Sequence, residues 1–164
     1  MPLHAALFIL GLIMEHPLPL QAIRPIALAL IKNPKNQFLY HQGTDTYTKE
    51  KFYRPLGGGI DFGETASACL KREMLEELNE QITLQGYLQT LENIFTYENK
   101  AFHEIVMIYK AEFNNRAVYE KNALIIHEHD GRTATAVWRS VEEIKNEGAH
   151  LYPPGLEEII KSLC

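Results

Sequence analysis

The sequence predicts a mixed α/β domain. Three observations carry that prediction: β-rich runs on both sides of a glycine cluster, one strongly marked amphipathic helix after it, and two short helical patterns near the C-terminus. A chain of 164 residues fits a single domain with one core of ordinary size. Apolar residues make up 46% and charged residues 23%, the balance of a globular chain rather than a disordered one.

Taken in order, "IRPIALALI" (Ile23 to Ile31) is rich in aliphatic residues and bounded by "NPKN", so it reads as a strand and a turn. "QFLYHQ" (Gln37 to Gln42) reads as a second strand, followed by the polar loop "GTDTYTKE". "KFYRPL" (Lys51 to Leu56) leads into three glycines. From Thr65 to Leu78 there is no Gly or Pro, and Leu70, Met74 and Leu78 recur at helical spacing. Thr65 suits the N-cap of that helix, and Asn79 the left-handed residue that ends it. Residues 81 to 113 contain two β-rich runs separated by "ENK", which predicts a pair of long antiparallel strands. Ala134 to Ser140 reads as a further short strand. Val141 to Gly148 and Pro154 to Leu163 read as helices, the second with Pro near its start. There is no internal repeat and no linker, so residues 21–164 are expected to form one domain, with 1–20 as a tail or extension.

Within that extension, "AALFILGLI" (Ala5 to Ile13) has the length of a signal-peptide core, but no Lys or Arg precedes it. It is also too short to span a bilayer. An upstream start codon or a docked tail explains it as well as secretion does. The formal charge of −5 argues against a duplex nucleic-acid partner, which calls for a basic stripe. Neither Cys69 nor Cys164 belongs to a CxxC pair, so reduced thiols and a cytoplasmic setting are expected, with no zinc cluster and no membrane partner.

The stretch "GGGIDFGETASACLKREMLEELNE" (Gly57 to Glu80) carries the chemistry. Glu73, Glu76 and Glu77 fall within an arc of roughly 100° on the helix, beside its core face. Two such carboxylates about 6 Å apart repel by about 3 kcal/mol at an effective dielectric near 20. In open water the same pair costs only about 0.2–0.5 kcal/mol, so a solvated acidic face is the bland alternative. The preceding "RPLGGGIDFGE" argues against it. Consecutive glycines let the backbone approach closely and expose carbonyls. A carbonyl facing three carboxylates forms the all-oxygen cage that a hard divalent cation needs, Mg²⁺ or Mn²⁺.

These residues resemble the Nudix box, G-x5-E-x7-R-E-U-x-E-E-x-G-U, with U an aliphatic residue. Gly58 stands at its first glycine, Glu64 six residues on, Arg72 and Glu73 at the "RE", Met74 at the aliphatic position and Glu76 and Glu77 at the "EE". Asn79 replaces the closing glycine and Glu80 the last aliphatic residue, so the next strand is expected in a shifted register, with Ile82 supplying the apolar contact. The resemblance implies an α/β/α sandwich with a mixed β-sheet and Mg²⁺-dependent hydrolysis of a small nucleoside diphosphate linked to another moiety. Such substrates include nucleoside triphosphates, ADP-ribose and nucleotide sugars, and dinucleoside polyphosphates. It further implies that Glu73, Glu76, Glu77 and the Gly58 carbonyl hold metal, and that Arg72 pairs with Glu64 to pin the glycine segment. Glu73 is then the first choice for the group that takes a proton from water, with Glu120 and Glu128 as loop alternatives. Arg24 and Arg54, on strands leading toward the glycines, are candidate substrate contacts. Many relatives are homodimers, which leaves that partner open here.

Other readings are weaker. No G-K-[ST] follows the glycines, and their spacing misses G-x-G-x-x-G. "HEHD" (His127 to Asp130) offers metal-binding side chains but reads more simply as a solvated loop. In "FHEIV", His103 and Glu104 point to opposite sheet faces and cannot ligate as a pair. The rival class is a Nudix-fold sensor that binds a nucleotide without cleaving it. Such domains typically lose box carboxylates, and all are present here.

Overall fold

A computed structural model describes residues 22–163; the proposed tail, residues 1–20, lies outside them. Strand β1 (Ile23–Ile31) is an interior strand of the sheet. It pairs parallel with β5 (Lys100–Phe113) along its length and antiparallel with β3 (Lys51–Gly59). Both faces of its second half are covered, so the run is continuously apolar instead of alternating. The remaining strands are β2 (Phe38–Thr44), β4 (Ile82–Tyr97), β6 (Ala123–His127), β7 (Thr133–Arg139) and β8 (His150–Leu151). They stand in the order β4-β5-β1-β3-β2-β7-β6, with β8 parallel to the start of β3.

Helix α1 (Ala66–Leu78) packs on one face of this mixed sheet. Its Cys69, Leu70 and Met74 meet Ala27, Ala29, Leu39, Leu56 and Trp138. The opposite face is covered by α2 (Val141–Asn146) and α3 (Leu156–Lys161), whose Val141, Ile144, Ile159 and Ile160 meet Leu28, Leu30 and Tyr53. The result is the expected α/β/α sandwich. Thr65 caps α1 by accepting from the Ala68 amide at 3.2 Å. Asn79 takes the left-handed conformation, φ 54°, and its amide donates to the Leu75 carbonyl at 3.0 Å. Glu80 stays outside, and Ile82 enters the core at 5% exposure, which supplies the apolar contact missing from position 80.

Several expectations need correction. The third strand does not stop at Leu56: β3 runs on through all three glycines, which pair with Ile26, Ala27 and Leu28. Their lack of side chains serves close packing inside the sheet: a Cβ on Gly57 would stand 2.0 Å from the Ala27 carbonyl oxygen. α3 starts after Gly155, so Pro154 lies in the turn before it rather than in its first turn. β6 and a short 3₁₀ turn (Arg116–Glu120) occupy a region where no periodic pattern is long enough to read. β4 also carries two register shifts, around Gln85 and Leu88, that composition does not signal.

Candidate active site

The register of β1 against β3 puts Gly58 beside Ala27, directly beneath the first turns of α1. Helical spacing then brings Glu73 down onto that glycine. A Cβ at Gly58 would lie 2.4 Å from the Glu73 carboxyl carbon, so only glycine leaves room for this carboxylate. Cys69, one turn earlier, directs its sulfur at the Gly59 carbonyl (3.2 Å) and the Gly58 carbonyl (3.6 Å). Burial, together with the nearby Glu73 and Glu64 charges, pushes the Cys69 thiol up to about 12, so it remains a protonated donor.

Arg72 ties the arrangement together. Its Nε and Nη2 donate to both oxygens of Glu64 at 2.8 and 2.9 Å, and Nη2 also reaches the Gly59 carbonyl at 3.1 Å. This is the expected pinning of the glycine segment. The same guanidinium also turns toward the acidic face, where Nη1 donates to Glu73 at 2.7 Å and Glu76 at 3.2 Å. Its bonds to Glu64 raise the Arg72 pKa, and they hold Glu64 below the usual carboxylate range.

The three box glutamates occupy different environments. Glu73 is 6% exposed, and desolvation raises its pKa against the pull of Arg72. Glu77 is pushed up to about 8, first by burial and then by the Glu73 and Glu128 charges, with Arg54 opposing. Glu76 is more exposed and meets His129, whose Nε2 lies 3.4 Å from its Oε2. One ligand atom each from Glu73, Glu76 and His129 lie within 4.8 Å of one another. The site therefore gathers acids of which one, Glu77, is kept protonated near neutral pH by burial, reinforced by repulsion from its neighbours. That donor set fits a divalent cation: its charge would relieve the crowding, and carboxylate oxygens are its preferred ligands.

The "HEHD" stretch thus enters the site. His127 ends β6, residues 128–132 form the β6–β7 turn, and that turn carries Glu128 and His129 to the acidic face of α1. Alternating histidines were a weak signal, because their value depends on a hairpin delivering them to a helix far away in sequence. Glu120 lies at the opposite end of β6, lining a different cavity with Lys32 and Lys110, so it is not brought to the carboxylates. Arg54 is brought close: its Nη2 donates to the Gly57 carbonyl at 3.3 Å, and its buried Nε has no hydrogen-bond partner among the described residues. His41 pairs with Arg54 across β2 and β3, and burial followed by the Arg54 charge lowers its pKa to about 4. No sequence pattern pointed to His41, whose place depends on strand register.

Arg24 is not brought to the carboxylates. Its Nη2 donates to Glu104, and its guanidinium lies 4.9 Å from the centre of the Phe102 ring. His103 points the other way, to Glu92 at 2.9 Å, as alternation requires. No helix among the described residues is long and apolar enough to cross a membrane.

Comparison with known proteins accords with this geometry. The family model described as "NUDIX domain" matches residues 22–161. No protein of curated function matches the chain. The fold is similar to the solution structure of the E. coli ORF135 protein, at 18% identity over 90% of this chain and 92% of that one, TM-score 0.54. It is similar also to a hydrolase of the NUDIX family from Clostridium perfringens, at 20% identity over 87% and 99%, TM-score 0.56. A MutT NUDIX hydrolase from Burkholderia pseudomallei gives 17% identity over 88% and 100%, TM-score 0.56. With its full set of box acids mounted on this sandwich, the chain belongs to the Nudix hydrolase family.

Proposed function

We propose that the protein hydrolyses the diphosphate linkage of a small nucleoside diphosphate-X substrate, with Mg²⁺ or Mn²⁺ held by Glu73, Glu76 and Glu77 and the Gly58 carbonyl. The observation that carries this reading is the seat of the Glu73 carboxylate against Gly58, where a side chain would collide with it, while Arg72 grips both Glu73 and Glu76. His129 is placed to join that ligand set. The bound cation supplies charge neutralisation and lowers the pKa of attacking water.

The chain's own residues account for the rest of the reaction. Arg54, beside Glu77 and with its Nε unpaired, offers a donor for a phosphate oxygen at the edge of the acidic cluster. In this reading Glu73 takes the proton from water, and Glu128, whose charge acts on Glu77, is the loop alternative in preference to Glu120. Arg72 holds Glu73 and Glu76 in register, which fixes reacting geometry without touching substrate. A cytoplasmic setting accords with a buried, unbridged Cys69.

A non-cleaving sensor is the competing reading, and retention of every box carboxylate favours the enzyme. A screen of nucleoside triphosphates, nucleotide sugars, ADP-ribose and dinucleoside polyphosphates, each with Mg²⁺ and with EDTA, separates the two. Metal-dependent product release from at least one class is expected. Tight nucleotide binding with no product in any arm would make it a sensor.

A further inference from the structure

The β6–β7 turn brings to the carboxylates one kind of ligand that α1 and the glycines do not supply. Leu124 and Ile126 of β6 pack into the same core as Leu70 and Met74 of α1, so apolar contacts fix the base of the hairpin against the helix. The tip is closed by bonds of its own. The Glu128 amide donates to the Arg132 carbonyl at 2.9 Å, and the Gly131 amide to the Glu128 carbonyl at 3.0 Å. Asp130 accepts from the Arg132 amide at 3.0 Å and from its Nε at 2.7 Å, which occupies that carboxylate. The His129 ring has no hydrogen bond within the turn, and its nearest polar partner is Glu76 on α1.

Nε2 of His129 stands 3.4 Å from Oε2 of Glu76, long for a charge-assisted hydrogen bond, which closes to about 2.7–2.9 Å. That spacing suits two ligands of one cation. With metal–ligand bonds of about 2.1 Å at octahedral angles, adjacent donor atoms lie about 3.0 Å apart and opposite ones about 4.2 Å. One donor atom each from Glu73, Glu76 and His129 lie within 4.8 Å of one another, a small contraction away from that span. The carboxylates also have capacity to spare. Arg72 engages Glu73 Oε1 and Glu76 Oε2, and the other oxygen of each accepts no hydrogen bond among the described residues.

We infer that His129 is a nitrogen ligand of the cation held by Glu73 and Glu76, and that it makes the site prefer a divalent transition-metal ion to Mg²⁺. The inference rests on the hydrolase reading for the presence of a cation and goes beyond it in naming which ions the site selects. Mg²⁺ keeps oxygen ligands and water and gains little from an imidazole, whereas transition-metal ions accept one and bind it more strongly from Mn²⁺ toward Co²⁺. Carboxylates and a carbonyl alone carry no such bias. The same ligand ties the β6–β7 turn to α1 through the ion, and with it Glu128, whose charge already acts on Glu77.

The test pairs titration calorimetry of metal-free protein, with Mg²⁺ and with Co²⁺, and electron spin-echo envelope modulation of the Mn²⁺-loaded protein, which detects nitrogen bound to the ion. Wild type is expected to bind Co²⁺ at least about tenfold tighter than Mg²⁺ and to show imidazole nitrogen modulation. His129→Gln, checked by thermal melt without metal, is expected to lose the modulation and at least about tenfold of Co²⁺ affinity, with Mg²⁺ affinity within about threefold of wild type. His127→Gln, which removes the neighbouring imidazole instead, is expected to keep both. Mn²⁺ bound to wild type without nitrogen modulation, modulation that persists in His129→Gln, or equal losses of Co²⁺ and Mg²⁺ in that variant overturns the inference and leaves His129 as a surface partner of Glu76. The hydrolase reading survives that result. Failure of all three ions to bind wild type would overturn both.

Discussion

Arg72 directs its three guanidinium nitrogens at Glu64, Glu73, Glu76 and the Gly59 carbonyl. A lysine offers one point charge where this fork makes several directed bonds. Arg72→Lys is therefore expected to lose about 1–3 kcal/mol in a denaturant titration and to weaken turnover as well. Glu77 is different, because it forms no ion pair among the described residues, and burial, reinforced by the Glu73 and Glu128 charges, raises its pKa to about 8. Glu77→Gln is expected to melt normally without metal, yet to lose at least about a hundredfold in turnover, about 2.7 kcal/mol of barrier. Near-wild-type turnover would remove Glu77 from the metal site. The spacing of these residues was legible in the sequence because one helix carries nearly all of them. The second role of Arg72, gripping Glu73 and Glu76 as well as Glu64, was not, since it depends on how far a long side chain folds back along its helix.

At the scale of elements, β3 and α1 define the site jointly, and their glycines separate structure from chemistry. A Cβ at Gly57 meets the backbone of β1, and the residue sits at φ +140°. Gly57→Ala is therefore expected to destabilise the protein severely, read as a large drop in melting temperature. A Cβ at Gly58 first meets the end of the Glu73 side chain, which is flexible. Gly58→Ala is expected to fold with a modest loss of stability but to bind Mn²⁺ poorly, because Glu73 must move aside. Equal melting temperatures for the two variants would contradict this division. Elements with long internal periodicity were readable: α1 with both caps, and the β4–β5 pair. β6 was not, because five residues carry too little pattern, and with it went the hairpin that delivers Glu128 and His129. His41 and the Arg24–Glu104 pairing were hidden for a related reason: both depend on register between strands, which sequence spacing does not express.

For the whole molecule, two half-buried groups, Glu77 and His41, tilt stability in opposite directions with pH. Glu77 keeps its proton in the folded state up to about 8, while the unfolded chain releases it near 4.5. Folding without metal therefore becomes less favourable as pH rises across that window. His41 stays neutral in the folded state down to about 4, whereas the unfolded chain takes up a proton near 6.5, so stability falls as pH drops through that range. Between about 4.5 and 6.5 the two slopes oppose each other, and from 6.5 to 8 only the Glu77 slope remains. Metal-free protein is thus expected to lose melting temperature between pH 6.5 and 8, and Glu77→Gln to flatten that decline. His41→Gln is expected to protect the acid side. The most direct test of the central claim, that crowded carboxylates are held here for a divalent cation, is Mn²⁺ titration followed by electron paramagnetic resonance. Wild type should quench the free-ion signal stoichiometrically, and Glu73→Gln and Glu76→Gln should each weaken that binding at least tenfold. An undiminished free Mn²⁺ signal in folded wild-type protein would contradict it.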